Sequence, residues 1–91
     1  MENLTAIKSK EHAEAALEKQ FSRVARERSA CETAVLVEAQ RKSYYRFLME
    51  YGNCLGQVLA YFRCGLIDAV GYNVFRDKLQ ALATPTIRRY S

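Results

Sequence analysis

A chain of 91 residues that is 49% apolar and 26% charged has the composition of one ordinary globular domain, and leaves no room for a second. Its one proline and four glycines exclude a long flexible linker, and three cysteines, an odd number without C-x-x-C spacing, fit buried or surface thiols of a reducing compartment better than a disulfide framework. The net charge of +4, from 14 basic and 10 acidic residues, is small enough to serve solubility alone. The opening MENLTAIKSKEHAEA lacks a hydrophobic signal core, and the longest nearly apolar run, residues 54–62, is too short to span a bilayer. A cytoplasmic location without membrane insertion is therefore expected.

The first predicted helix starts near Ser9, which can act as N-cap, and runs to about Arg28. Glu11, Glu14 and Glu18 precede Lys19, Arg23, Arg26 and Arg28, an order that complements the helix dipole. Ala13, Leu17, Phe21 and Val24 make only a thin apolar stripe, so this helix leans on a larger neighbour.

Ser29 and Glu32 match the S-x-x-E capping box, which places the start of a second helix there. No glycine or proline interrupts residues 8–51, so one continuous rod is the alternative; spanning residues 9–63 it would be about 80 Å long and would have to dimerise. The apolar rhythm favours a break. Leu17, Phe21, Val24, Cys31 and Val35 keep a four-three rhythm, with one seven-residue step from Val24 to Cys31, but the series continues to Glu38 and Lys42 instead of Tyr44 and Leu48.

The second helix, over about residues 30–64, is apolar over an arc roughly 240° wide, where a helix packed on one side of a small domain needs only about 100° or somewhat more. Its primary stripe is Tyr44, Leu48, Tyr51, Leu55, Val58 and Phe62. Tyr45, Met49, Gly52, Gly56 and Leu59 form a second stripe on one side of it, and Phe47, Cys54 and Tyr61 a third on the other. The narrow polar strip that remains carries Lys42, Arg46, Glu50, Asn53 and Gln57. Such a helix is a central one, with more apolar surface than two small neighbours easily bury.

Gly65 is placed to close the second helix in the left-handed conformation. Asp68 caps the third, with Ile67 and Tyr72 spaced as a hydrophobic staple. Tyr72, Phe75, Leu79 and Leu82 form its inner face, and Thr84-Pro85 is expected to stop it near residue 83, leaving residues 84–91 as a loosely held tail. The short turn before it implies an antiparallel hairpin. The fold class expected is all-α: a single domain over residues 1–91 with three helices, a long central one and an antiparallel C-terminal helical hairpin.

Catalytic chemistry is not indicated. His12 near the acidic start of the first helix has no ligand set around it, since structural zinc needs four ligands and catalytic zinc usually three. Cys64 beside Arg63 is the thiol best placed to be reactive, while Cys31 and Cys54 read as small core residues. There is no phosphate-binding glycine loop, carboxylate pair or nucleophile elbow. We expect no enzyme, no cofactor and no metal.

Association chemistry is better represented. Gly52 and Gly56 form G-x-x-x-G, and two mid-helix glycines cost about 1 kcal/mol each against alanine, so an offsetting close contact is expected from the first helix, the third helix or a second copy. Arg41-Lys42-Ser43-Tyr44-Tyr45-Arg46-Phe47 interleaves bases with rings, but on a helix Lys42 and Arg46 lie on the polar strip while Tyr44 and Phe47 turn to the apolar arc. Ring-rich, arginine-rich surface also suits protein interfaces. The partner-binding residues expected are Arg41, Tyr45, Arg46, Met49, Gly52, Gly56, Leu59 and Tyr61, with Lys42, Arg88 and Arg89 as possible anion contacts.

The leading reading is a small non-catalytic helical regulator, inhibitor or adaptor that binds another protein or itself as a homo-oligomer. Its size would suit a phage or mobile-element protein that blocks a host factor. Two alternatives are a nucleic-acid-binding regulator using the basic helix face and tail, and a chaperone-like protein holding a partner helix in a groove between the first two helices.

Overall fold

The computed structural model describes residues 2–90, with side chains described over residues 10–90. The protein is all-α, with three helices and no strand among the described residues: α1 (Glu2–Thr33), α2 (Val37–Arg63) and α3 (Ala69–Tyr90). They form an elongated up-down-up bundle measuring 55 × 17 × 14 Å. At about 1.5 Å per residue α1 alone accounts for most of the long dimension.

α1 and α2 pack antiparallel along their length. Leu17, Val24 and Cys31 of α1 and Phe47, Cys54 and Val58 of α2 are buried in the same core, joined by Ala13. The seam carries a polar crossing near its middle. Gln20 is buried, and its Nε2 donates to Glu50 Oε2 at 2.6 Å, so the glutamine amide enters the interior with a charged partner.

α3 lies across the other two and brings Leu79, Ala83 and Thr86 into the interior. Two ring pairs pin it antiparallel to α2: Phe62 stacks on Tyr72 with centroids 4.8 Å apart, and Tyr44 meets Tyr90 at 5.6 Å. The spacing between rings is the same on both helices, so the register is fixed at both ends. Against α1, Lys78 Nζ sits 4.4 Å from the Phe21 centroid and 3.3 Å from Glu18 Oε2.

The turn between α2 and α3 follows the local code. Gly65 takes φ +77°, its N–H donates to Phe62 O at 3.1 Å, and the Leu66 N–H donates to Tyr61 O at 2.9 Å, the paired bonds of a Schellman closure. Asp68 then caps α3, accepting the Gly71 N–H on Oδ1 at 2.7 Å, with Ile67 buried just before it.

Four expectations are corrected. α1 begins at Glu2, ahead of Ser9. The break between the first two helices falls at residues 34–36, not near Ser29: Ser29 lies inside α1, where its carbonyl accepts the Thr33 hydroxyl at 2.9 Å, and Glu32 pairs with Arg28 instead of closing a capping box. The phase jump in the apolar pattern coincides with this three-residue connection, in which Leu36 (φ −84°, ψ 137°) is extended and precedes α2 without a side-chain cap.

Pro85 does not stop α3, and residues 84–90 are not a loose tail. An interior proline removes one helical hydrogen bond and crowds the preceding turn. Here Thr86 is buried and Tyr90 packs on Tyr44 while reaching the Cys31 carbonyl at 3.5 Å, and these contacts carry the helix through.

Finally, the buried seam of α2 is not centred on the expected primary stripe. Ser43, Phe47, Cys54 and Val58 are the buried residues, whereas Leu48 and Phe62 keep more than a third of their surface exposed. Glu50 and Gln57 leave the polar strip to become half-buried at the edge of the seam.

Candidate interaction surface

The side of α2 facing away from α1 remains uncovered. Tyr45 is 59% exposed and Met49 68% exposed, with Leu48, Gly52 and Gly56 also at the surface. At about 100° per residue, this band lies on the opposite side of the helix from Phe47 and Cys54. The glycines make no close contact within the chain: a Cβ built on either would meet nothing within 4 Å. Neither α1 nor α3 therefore supplies the close approach expected for the G-x-x-x-G pair.

The residues expected to bind a partner separate into groups. Arg41, Tyr45, Met49, Gly52 and Gly56 share the exposed band, with Leu59 half-buried at its edge. Arg46 is exposed on the neighbouring flank with Lys42 and Asn53. Tyr61 does not belong with them. Its hydroxyl accepts from Gln57 Nε2 at 2.9 Å, and its ring lines a shallow depression with His12, Ala13, Ala16 and Leu66.

The anion-binding candidates come closer together than their sequence positions suggest. Because Tyr90 docks on Tyr44, the exposed Arg88 and Arg89 at the end of α3 reach the same end of the bundle as Arg41 and Lys42. A hollow of about 140 Å³ lies there, lined by Val37, Gln40, Arg41, Tyr44 and Tyr90. Of the rings in the basic-aromatic run, Phe47 is fully buried and Tyr44 packs against it, while Tyr45 is exposed on the other side of the helix, so the three do not form one stacking platform.

Sequence reading missed two surface features. Val35, Leu36 and Val37 form an exposed apolar tip at the α1–α2 turn, Val35 being 95% exposed. Val70 and Val74 are exposed on the outer side of α3. No glycine or proline signals the first, and ordinary helical spacing conceals the second.

The thiols divide by environment. Burial, with Glu18 and Glu50 nearby, pushes the Cys54 thiol up to about 11, and burial followed by Glu27 and Glu32 raises that of Cys31. Both thus stay protonated at neutral pH and serve as small core residues. Cys64 is exposed in the turn after α2. Among the described residues, no group of three or more His, Cys, Asp or Glu side chains is arranged to hold a metal ion, and no helix is long and apolar enough to cross a membrane. Comparison of the chain with protein-family models, curated proteins and solved structures finds no match.

Proposed function

We propose that this protein is a non-catalytic helical interaction module, a regulator, inhibitor or adaptor that docks through the outer face of α2. The observation that carries this reading is the exposure of Tyr45 and Met49 beside Leu48, Gly52 and Gly56, on a helix whose opposite face already fills the core. Large rings and thioethers are favoured interface anchors, and these two are mostly exposed. Tyr45→Ala and Met49→Ala should weaken association on a sizing column while leaving the melting temperature of the dilute protein unchanged. A fall of several degrees in the dilute melt would make them fold residues and remove the main support.

A second reading, nucleic-acid binding, is favoured by the location of Arg41, Lys42, Arg88 and Arg89 at the same end of the bundle. Four phosphate contacts would give a salt slope of about −3 to −4 on logarithmic axes. Absence of binding at low salt, or a flat slope, would count it out. The helix-groove reading has less support, because buried side chains of α1 and α2 fill much of their own seam and leave the shallow depression beside His12 and Tyr61 at one end.

A further inference from the structure

The uncovered face of α2 carries a stripe whose residues, placed by helical periodicity, differ in chemistry between its middle and its two ends. Glu38, Tyr45, Met49, Gly52, Gly56 and Arg63 follow one another at steps of seven, four, three, four and seven residues, the same read from either end. At about 100° per residue all six fall within an arc of about 60°, centred about 180° from Cys54 and so clear of α1. The stripe runs from the first turn of α2 to its last, about 38 Å at 1.5 Å per residue.

Two antiparallel copies of such a stripe match chemically as well as geometrically. A two-fold axis through the middle of α2 sets Met49 of one copy opposite Gly52 of the other, Tyr45 opposite Gly56, and Glu38 opposite Arg63, each pair occurring twice. The two bulky exposed side chains meet the two positions that lack a side chain, and the acidic end of each stripe meets the basic end of the other. Glycine permits close backbone approach. This contact would also explain two mid-helix glycines that touch nothing within their own chain.

We infer that the outer face of α2 is a self-complementary docking surface for a second copy of this chain, paired antiparallel with Tyr45 seated over Gly56 of the other copy and Glu38 facing its Arg63. The inference rests on the proposed role of this face in association and names its occupant.

The test is disulfide mapping in the full chain carrying Cys64→Ser, which removes the exposed thiol and leaves Cys31 and Cys54 buried. A Tyr45→Cys chain alone should not cross-link, because its two thiols would stand about 16 Å apart along the axis, and Gly56→Cys alone should fail for the same reason. A mixture of the two should form a heterodimeric bridge under mild oxidation. Glu38→Arg should weaken pairing by at least about tenfold, and adding Arg63→Glu should restore it. Cross-linking by Tyr45→Cys alone would mean parallel pairing and would overturn the register. A chain that stays monomeric at every concentration would overturn self-pairing, while the dilute-melt test of Tyr45 and Met49 would still judge the face by itself. A dimer insensitive to Glu38→Arg and to both cysteine positions would overturn the inference by placing the contact elsewhere.

Discussion

The two faces of α2 are built from similar apolar material and stand in different surroundings. Toward α1, Phe47, Cys54 and Val58 are sealed among Leu17, Val24 and Cys31. Away from it, Tyr45 and Met49 stand in solvent beside two glycines with open space around them. An apolar residue on a helix therefore reveals little about its role until its neighbours are known. Burial stabilises the fold through the inner face, and the outer face remains available for association.

The sharpest way to test that contrast is truncation on each face. Phe47→Ala removes a fully buried ring and should cost about 3–5 kcal/mol in denaturant unfolding. Met49→Ala, only two residues away, should stay within about 0.5 kcal/mol at monomeric dilution. Comparable losses at the two positions would erase the distinction between the faces.

A smaller effect concerns the polar crossing. Gln20→Ala leaves Glu50 without its 2.6 Å donor at the edge of the core and should cost about 1–3 kcal/mol. A neutral result would mean that water replaces the amide and that the seam is looser than its burial suggests.

The glycines should respond with the opposite sign. Gly52→Ala and Gly56→Ala meet no neighbour within 4 Å, so each should stabilise the dilute protein by about 1 kcal/mol through helix propensity. The same substitutions fill the hollows of the outer face and should weaken pairing. Stability and association moving in opposite directions would separate the two faces more cleanly than either measurement alone.

Alkaline titration probes the inner face again. The ordinary thiol value is 9.0 and that of folded Cys54 is about 11, so both folded and unfolded forms hold the proton below pH 9. Between about 9 and about 11 the unfolded chain releases it first, and stability should fall across that window. Cys54→Ala should flatten the decline. An unchanged slope would assign the pH dependence to other groups.

How much of this was legible depended on how local each signal is. The start of α3 and the close of α2 were readable because Asp68, Gly65 and Ile67 act on their immediate neighbours. The turn at residues 34–36 was not, since no glycine, proline or capping side chain marks Leu36 and the turn is a consequence of the antiparallel packing of α1 on α2. Pro85 misled for a related reason. Its local penalty is overridden by the burial of Thr86 and the docking of Tyr90, both of which depend on residues far away in sequence. Periodicity identified the stripes of α2 but not which of them lies inside, because small residues such as Ser43 and Cys54 become core only through close packing. For the candidate site, Tyr45, Met49 and the glycines share one exposed band, as helical spacing implied, whereas Tyr61 lies apart from them beside His12, and the end charges Glu38 and Arg63 drew attention only once the outer face was seen to be bare.

The most direct single measurement is sedimentation equilibrium over a wide concentration range, comparing the native chain with Gly56→Leu, a substitution that helix geometry tolerates and the docking hollow does not. The native mass should rise from 10.4 kDa toward twice that value while the variant stays at 10.4 kDa. A native chain fixed at 10.4 kDa throughout, or a variant that rises with it, would contradict the assignment of the outer face of α2 to self-association.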